Sequence, residues 1–188
     1  MKFLERLLAG APVEWKPLGE VCDLRGRIGF RGYTRNDFVE KGAGAITLSP
    51  SNIIRQQILF EECSYISWFK YEESPEIKVD VNDIVFTKTA SVGKTALIKY
   101  LPQETTINPQ LVLLKRITCL PAYLAYILQG DKFQLAVRQL TGLGSVPNIA
   151  QSALAKILIP LPSLSVQEEI VRILDKFTEL EAELEAEL

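Results

Sequence analysis

TGLGSVPNIAQSALAKILIPLPSLSVQEEIVRILDKFTELEAELEAEL, residues 141–188, is the stretch around which the chain is organised. Ser165, followed three places later by Glu168, has the form of a capping box: the hydroxyl accepts from the N–H of Glu168, and the carboxylate reaches back to the N–H of Ser165. A helix is therefore predicted from Ser165 onward. Its apolar residues Val166, Ile170, Ile173, Phe177, Leu180 and Leu184 are spaced by alternating fours and threes, which holds them on one face. At about 1.5 Å per residue the segment ending at Leu188 would reach roughly 36 Å, longer than most globular helices. Such a seam calls for a partner, and much of the helix is expected to project from the body. Just before it, Pro160 and Pro162 keep the backbone extended and so fix the angle of departure.

Charge divides the chain in the same place. From Ser165 to Leu188 eight acidic residues meet only Arg172 and Lys176, a net charge of −6; the whole chain of 188 residues carries −2, so the remainder carries +4. A mildly basic body thus bears an acidic handle. The closing glutamates oppose the negative end of the helix dipole and repel one another. Either the helix is expected to continue past Leu188, or a partner supplies positive charge.

The length allows one domain of about 160 residues plus the helix, enough for a real core. Cys22, Cys63 and Cys119 are odd in number and widely spaced, which argues against a disulfide framework and a zinc site and fits a cytoplasmic protein. The chain contains no histidine, so the commonest general base and metal ligand is missing and no metal site is expected. The opening MKFLERLLAGA is interrupted by Glu5 and Arg6 and reads as a short amphipathic helix, Lys2 to Leu8, rather than a signal peptide. No run of about 18 apolar residues suggests a membrane span.

Outward from the organising stretch, Val13 to Asp23 reads as an edge strand with Trp15 as a packing residue. RGRIGFRGYTRNDFVEK, residues 25–41, interleaves Arg25, Arg27, Arg31, Arg35 and Lys41 with glycines, Phe30 and Tyr33. Glycines let the backbone approach a ligand, while guanidinium groups and rings can clamp phosphates, fork onto guanine edges or stack on bases. An ordinary solvated loop, its arginines paired with Asp23, Asp37 and Glu40, is the competing reading. GAITLSPSN, residues 44–52, reads as a buried strand ending in a polar turn, and the acidic patch at Glu72, Glu73 and Glu76 as solvated surface. In DIVFTKTASVGKTALIKY, residues 83–100, two apolar runs flank a turn with Lys88, Thr89, Ser91, Gly93 and Lys94, as in a hairpin presenting its loop. SVGKT is not a phosphate-binding loop, because Lys88 stands where that motif needs glycine and no helix is expected to follow. LVLLKRI, residues 111–117, supplies a further strand. Pro121 to Leu140 reads as one helix loosened at Gly130, and TGLGS after it as a flexible loop able to approach DNA. The fold class is thus α/β of the α+β kind: a twisted mixed β-sheet with small helices over residues 1–160, then a long projecting coiled-coil helix over residues 161–188.

The order of WKPLGEVCDL, NDIVFTKTASVGKTALI, YLAYIL and TGLGSVPNIAQSALAKILIPLPSLSVQEEIVRILD resembles one target recognition domain and the following helix of a type I restriction-modification specificity subunit. The resemblance runs from Trp15 to about Thr178 and is most specific in its closing segment. It implies a subunit that reads double-stranded DNA, each of two recognition domains taking half of a split target with paired helices as a ruler. It also implies a modification subunit as partner, which binds S-adenosylmethionine and methylates adenine N6; a restriction subunit can join that assembly but is not required by the resemblance. The specificity subunit itself holds no cofactor and does no chemistry.

One recognition domain and one helix correspond to a half subunit, either a fragment or a naturally short form, and a homodimer through the helix would read a palindromic split target. On this reading Arg27, Arg31, Tyr33, Arg35, Lys88, Thr89, Ser91 and Lys94 meet base edges, Arg25, Lys115 and Arg138 hold phosphates, and Val166, Ile170, Ile173, Phe177, Leu180 and Leu184 form the helix-partner interface. The alternative is a protein-only oligomerising scaffold whose basic loop touches no DNA.

Overall fold

The structure, a computed structural model, describes residues 12–27, 33–142 and 144–186. The helix expected over residues 2–8 and Arg31 of the expected reading loop lie outside these. In chain order the elements begin with β1 (Glu14–Pro17), α1 (Leu18–Val21), β2 (Asp23–Gly26), β3 (Phe38–Val39), β4 (Ala45–Leu48), β5 (Ile53–Ile54), β6 (Gln57–Ile58) and β7 (Ser64–Ile66). There follow α2 (Trp68–Glu72), β8 (Ile84–Thr87), β9 (Thr95–Leu97), β10 (Thr105–Ile107) and β11 (Leu111–Lys115). The chain closes with α3 (Pro121–Gln129), α4 (Asp131–Leu140), α5 (Gln151–Leu154), β12 (Leu158–Leu161) and α6 (Leu164–Ala186).

Two four-stranded sheets carry the body, in the orders β2-β11-β8-β9 and β10-β4-β7-β3, with β10 and β4 parallel. Because side chains alternate across a strand, the first sheet can be buried on both faces. Ile84, Phe86, Val112 and Leu114 face one cluster with Tyr123, Leu128, Phe133 and Val137 of the helices. Val85, Ala96, Leu111 and Leu113 face a second cluster with Ile46, Leu48, Tyr65 and Ile107 of the other sheet. The layers are therefore helices, sheet, sheet. β1 and β12 form a separate antiparallel pair, Glu14 opposite Leu161 and Trp15 opposite Pro160. Proline is tolerated there because a two-stranded ladder has outer edges on which its missing N–H is not needed. Trp15, expected to pack, is 51% exposed on this pair.

The helix expected over residues 121–140 is two helices. Gly130 adopts φ −63°, ψ 144°, an extended conformation that ends α3 and starts α4. The apolar periodicity continues through the break, which is why the sequence pattern did not reveal it.

The long helix starts one residue earlier than expected. The Ser163 carbonyl accepts from the N–H groups of Val166 and Gln167, so Ser165 already lies in the first turn, its hydroxyl 3.0 Å from that of Ser163. The reciprocal cap between Ser165 and Glu168 is replaced by a staple from Gln167, which is 5% exposed. The Leu120 N–H at the start of α3 donates to its Oε1 over 3.0 Å, and its Nε2 donates to the Pro162 carbonyl over 2.9 Å.

The seam divides between two environments. Ile170 is 1% exposed and Val166 packs on the helix-side core, whereas Phe177, Leu180 and Leu184 are 50%, 54% and 62% exposed. The first turns of α6 thus dock on the chain's own body, and Tyr126 Oη donates to Asp175 at 2.6 Å further along the same contact. Burial and this carboxylate push the Tyr126 phenol up to about 12. The eleven residues beyond Asp175 extend by roughly 16 Å at 1.5 Å per residue.

Candidate nucleic-acid interface

The β8–β9 hairpin forms as its alternation predicts, Ile84 opposite Leu97 and Phe86 opposite Thr95. Its turn is built from within. The Thr87 hydroxyl donates to the Ser91 carbonyl and accepts from the Lys94 N–H over 2.9 Å. Gly93 takes φ +100°, open to glycine at little cost, and a Cβ there would lie 2.6 Å from Gln134 Oε1. The glycine and lysine of SVGKT therefore serve a tight turn.

The segment after α4, expected to be a flexible loop, is stitched to this turn. Thr89 and Asn148 form a bridge, with the hydroxyl donating to Asn148 Oδ1 over 3.1 Å. The N–H of Ala90 donates to the Pro147 carbonyl, that of Ile149 to the Lys88 carbonyl and that of Gly142 to the Asn148 carbonyl. Residues 88–94 are therefore joined to residues 142 and 144–149 in one rigid double loop. Ser91, Lys94, Ser145 and Val146 are exposed on it, and Arg138 is exposed in the last turn of α4 leading into it. Lys88 is half-buried, and burial holds its ammonium below the usual lysine range. Lys94 Nζ turns towards the body, donating to the carbonyls of Pro50 and Ile53 over 3.2 and 3.3 Å.

The glycine-and-arginine segment is arranged differently from expectation. Arg25 is exposed but donates to Asp23 at 2.8 Å, a carboxylate that Arg116 shares. Arg27 is 6% exposed. Its guanidinium donates to Tyr33 Oη over 2.8 Å, lies 4.2 Å from the centroid of that ring and is 3.8 Å from Glu73. Glu73 also pairs with Lys70 at 2.7 Å, so the acidic patch expected to be solvated is in part the counter-charge for buried cations. Tyr33 in turn donates to the Ile107 carbonyl. Arg27 and Tyr33 are thus engaged inside the body, while Arg35 is exposed in a one-turn helix after Thr34.

Lys115, expected at phosphates, is also an internal group. Its ammonium donates to Asp83 at 2.5 Å, to Asp80 at 2.8 Å and to the Lys78 carbonyl at 2.7 Å. Asp83 is 5% exposed, and burial raises its carboxyl above the usual range despite that partner. Of the expected readers, the structure brings Lys88, Thr89, Ser91 and Lys94 together on the double loop; Tyr33 and Arg35 stand by the β3 edge of the other sheet.

Sequence reasoning passed over Arg55 and Gln56, both exposed at the turn between β5 and β6. With Gly93, Lys94, Gln129 and Gln134 they line a cleft of about 420 Å³ beside the double loop. The available signal was RQ inside the run IIRQQILF, a pairing of two residue types that read guanine and adenine edges.

Residues 12–188 match the family model described as type I restriction modification DNA specificity domain. The chain is 33% identical to the EcoprrI type I restriction enzyme specificity subunit of Escherichia coli, over 97% of this chain and 47% of that protein. It is 30% identical to the EcoR124I/EcoR124II specificity subunit of the same organism, over 100% of this chain and 44% of that one. It spans about half the length of these relatives. The HsdS subunit of Thermoanaerobacter tengcongensis shares its fold with a TM-score of 0.69 at 21% identity, over 98% of this chain and 45% of that one. With a match over almost the whole of the described body and helix, the chain belongs to the type I restriction-modification DNA specificity domain family.

Proposed function

We propose that this chain is one target recognition domain with its helix, reading half of a split double-stranded DNA target for a methyltransferase complex. The observation that carries the reading is the double loop of residues 88–94 and 144–149, a hydrogen-bonded edge with exposed polar groups and the exposed Arg138 beside it, on a body of net positive charge. Rigid placement matters because base edges are read by hydrogen bonds that tolerate little error. A body charge of about +4 releases few counterions, so tight binding is expected only when two recognition domains act together.

The second domain would come through α6, whose distal residues Leu180 and Leu184 are exposed and suited to a second long helix, from another copy or from further chain. The modification subunit binds S-adenosylmethionine and transfers its methyl group to adenine N6, and a restriction subunit joins the same assembly. This chain supplies the address, and no step of that chemistry passes through its residues.

The test is to assemble the chain with its modification subunit and map the methylated adenines. One short motif is expected, inverted about a fixed spacer if two copies pair. Phe177→Ser with Leu180→Ser should halve the mass seen by light scattering and abolish the spacer requirement. Methylation without sequence preference would refute the reading.

A further inference from the structure

We infer that the β5–β6 hairpin is a base-reading ribbon, with Arg55 and Gln56 at its tip reading two neighbouring purines through the major groove. The inference rests on the proposed DNA-reading function and adds to it an element that neither the sequence pattern nor the double loop contains. Ile53 pairs with Ile58 and Ile54 with Gln57, which leaves Arg55 and Gln56 as a two-residue turn. Both have positive φ, 47° and 67°. A turn of this kind favours asparagine and glycine, because a Cβ is disfavoured in the left-handed region. Two long side chains have instead been placed where the backbone least favours them, and an observed conformation of this sort points towards function.

The base of the hairpin is anchored and its tip is exposed to solvent. Ile53 is 2% exposed in the core between the sheets, while Ile54, Arg55, Gln56 and Gln57 are exposed. Asn52 ties down the approach: its Oδ1 accepts from the Ser49 N–H over 2.8 Å, its Nδ2 donates to the Glu62 carbonyl, and its carbonyl accepts from the Leu59 N–H over 2.9 Å. Lys94 of the double loop clamps the hairpin through the carbonyls of Pro50 and Ile53. The two elements are therefore tied together and line one cleft, which places the tip beside the double loop.

The dimensions fit. A two-stranded ribbon, with strands about 4.8 Å apart, is admitted by a major groove about 12 Å wide. A tip two residues beyond its anchor extends roughly 7 Å at about 3.4 Å per residue, close to the groove depth of about 8.5 Å. Arginine forks onto the O6 and N7 of guanine and glutamine onto the N6 and N7 of adenine, so the ligand is a pair of adjacent purines.

The test uses the chain assembled with its modification subunit, a duplex pool randomised over the half-site, and Arg55→Gly and Gln56→Gly variants. Glycine takes positive φ freely, so the turn survives and only the side chain is lost. Wild type should prefer two adjacent purines, and each variant should lose roughly ten- to a hundredfold of the discrimination at one of those positions. Thermal unfolding should be unchanged or raised. Two variants with the wild-type profile, or with an equal loss at every position as phosphate contacts give, would overturn the inference while leaving the proposed function standing. A wild-type complex that selects no motif would overturn both.

Discussion

Replacing Gln167 tests whether the direction of the long helix is set by one side chain. Its amide joins the first turn of α6 to the start of α3 and to the Pro162 carbonyl, at 3.0 and 2.9 Å, in a site where the residue is 5% exposed. Gln167→Ala leaves a part-buried N–H and a buried carbonyl without partners. Each such group costs about 1–3 kcal/mol, so the loss should be roughly 2–6 kcal/mol, with water entering the vacated space favouring the lower end. For a chain of this size that is a fall in Tm of about 4–24 °C. Urea titration supplies the free energy directly. Gln167→Glu separates the two bonds: the carboxylate still accepts from Leu120 but, when ionised, cannot donate to Pro162. Its folded pKa should lie above its unfolded one, so the variant should approach wild type at pH 4 and fall away as pH rises through the folded value. Both variants within about 0.5 kcal/mol of wild type at pH 7 would show that the apolar docking of Val166 and Ile170 suffices and the staple is incidental.

Lys115→Met should cost about 3–5 kcal/mol at pH 7, because it leaves Asp83 as an uncompensated buried carboxylate. Burial already raises the Asp83 carboxyl, and the variant raises it further. The deficit should therefore be smaller at pH 4, where the group is protonated, than at pH 7; a deficit independent of pH, read from urea titrations at both values, would place the role of Lys115 elsewhere. The cysteines should be inert in the folded protein. Burial pushes Cys22 up to about 12 and Cys63 and Cys119 up to about 11. At pH 8 about 0.1% or less of each is thiolate, so reaction with an aromatic disulfide reagent should follow the unfolding rate. A fast thiol at pH 8 without denaturant would contradict this.

What could be read from the sequence was local. The β8–β9 hairpin was legible because alternation and turn residues lie within fourteen positions, and α6 because its apolar spacing is regular. Spacing cannot name the partner of a seam, so Ile170 and Leu184 looked equivalent although one faces the body and the other solvent. The burial of Arg27 depends on Glu73 and Ser74, which are distant in sequence, and on Tyr33, and no local pattern reports such a contact. The β5–β6 turn escaped notice because its positive-φ residues are arginine and glutamine, not the asparagine and glycine that ordinarily mark such turns.

Glu14 and Leu161 face each other across the β1–β12 pair, so the chain passes into and out of the globular body through one two-stranded doorway. A body hung this way behaves as a cassette. Any replacement that closes with the same short ladder and offers the same seat to Ile170 would leave the aim of the rod undisturbed. On the proposed reading, new addresses arise by exchange of whole bodies between chains, without re-engineering the helix that follows.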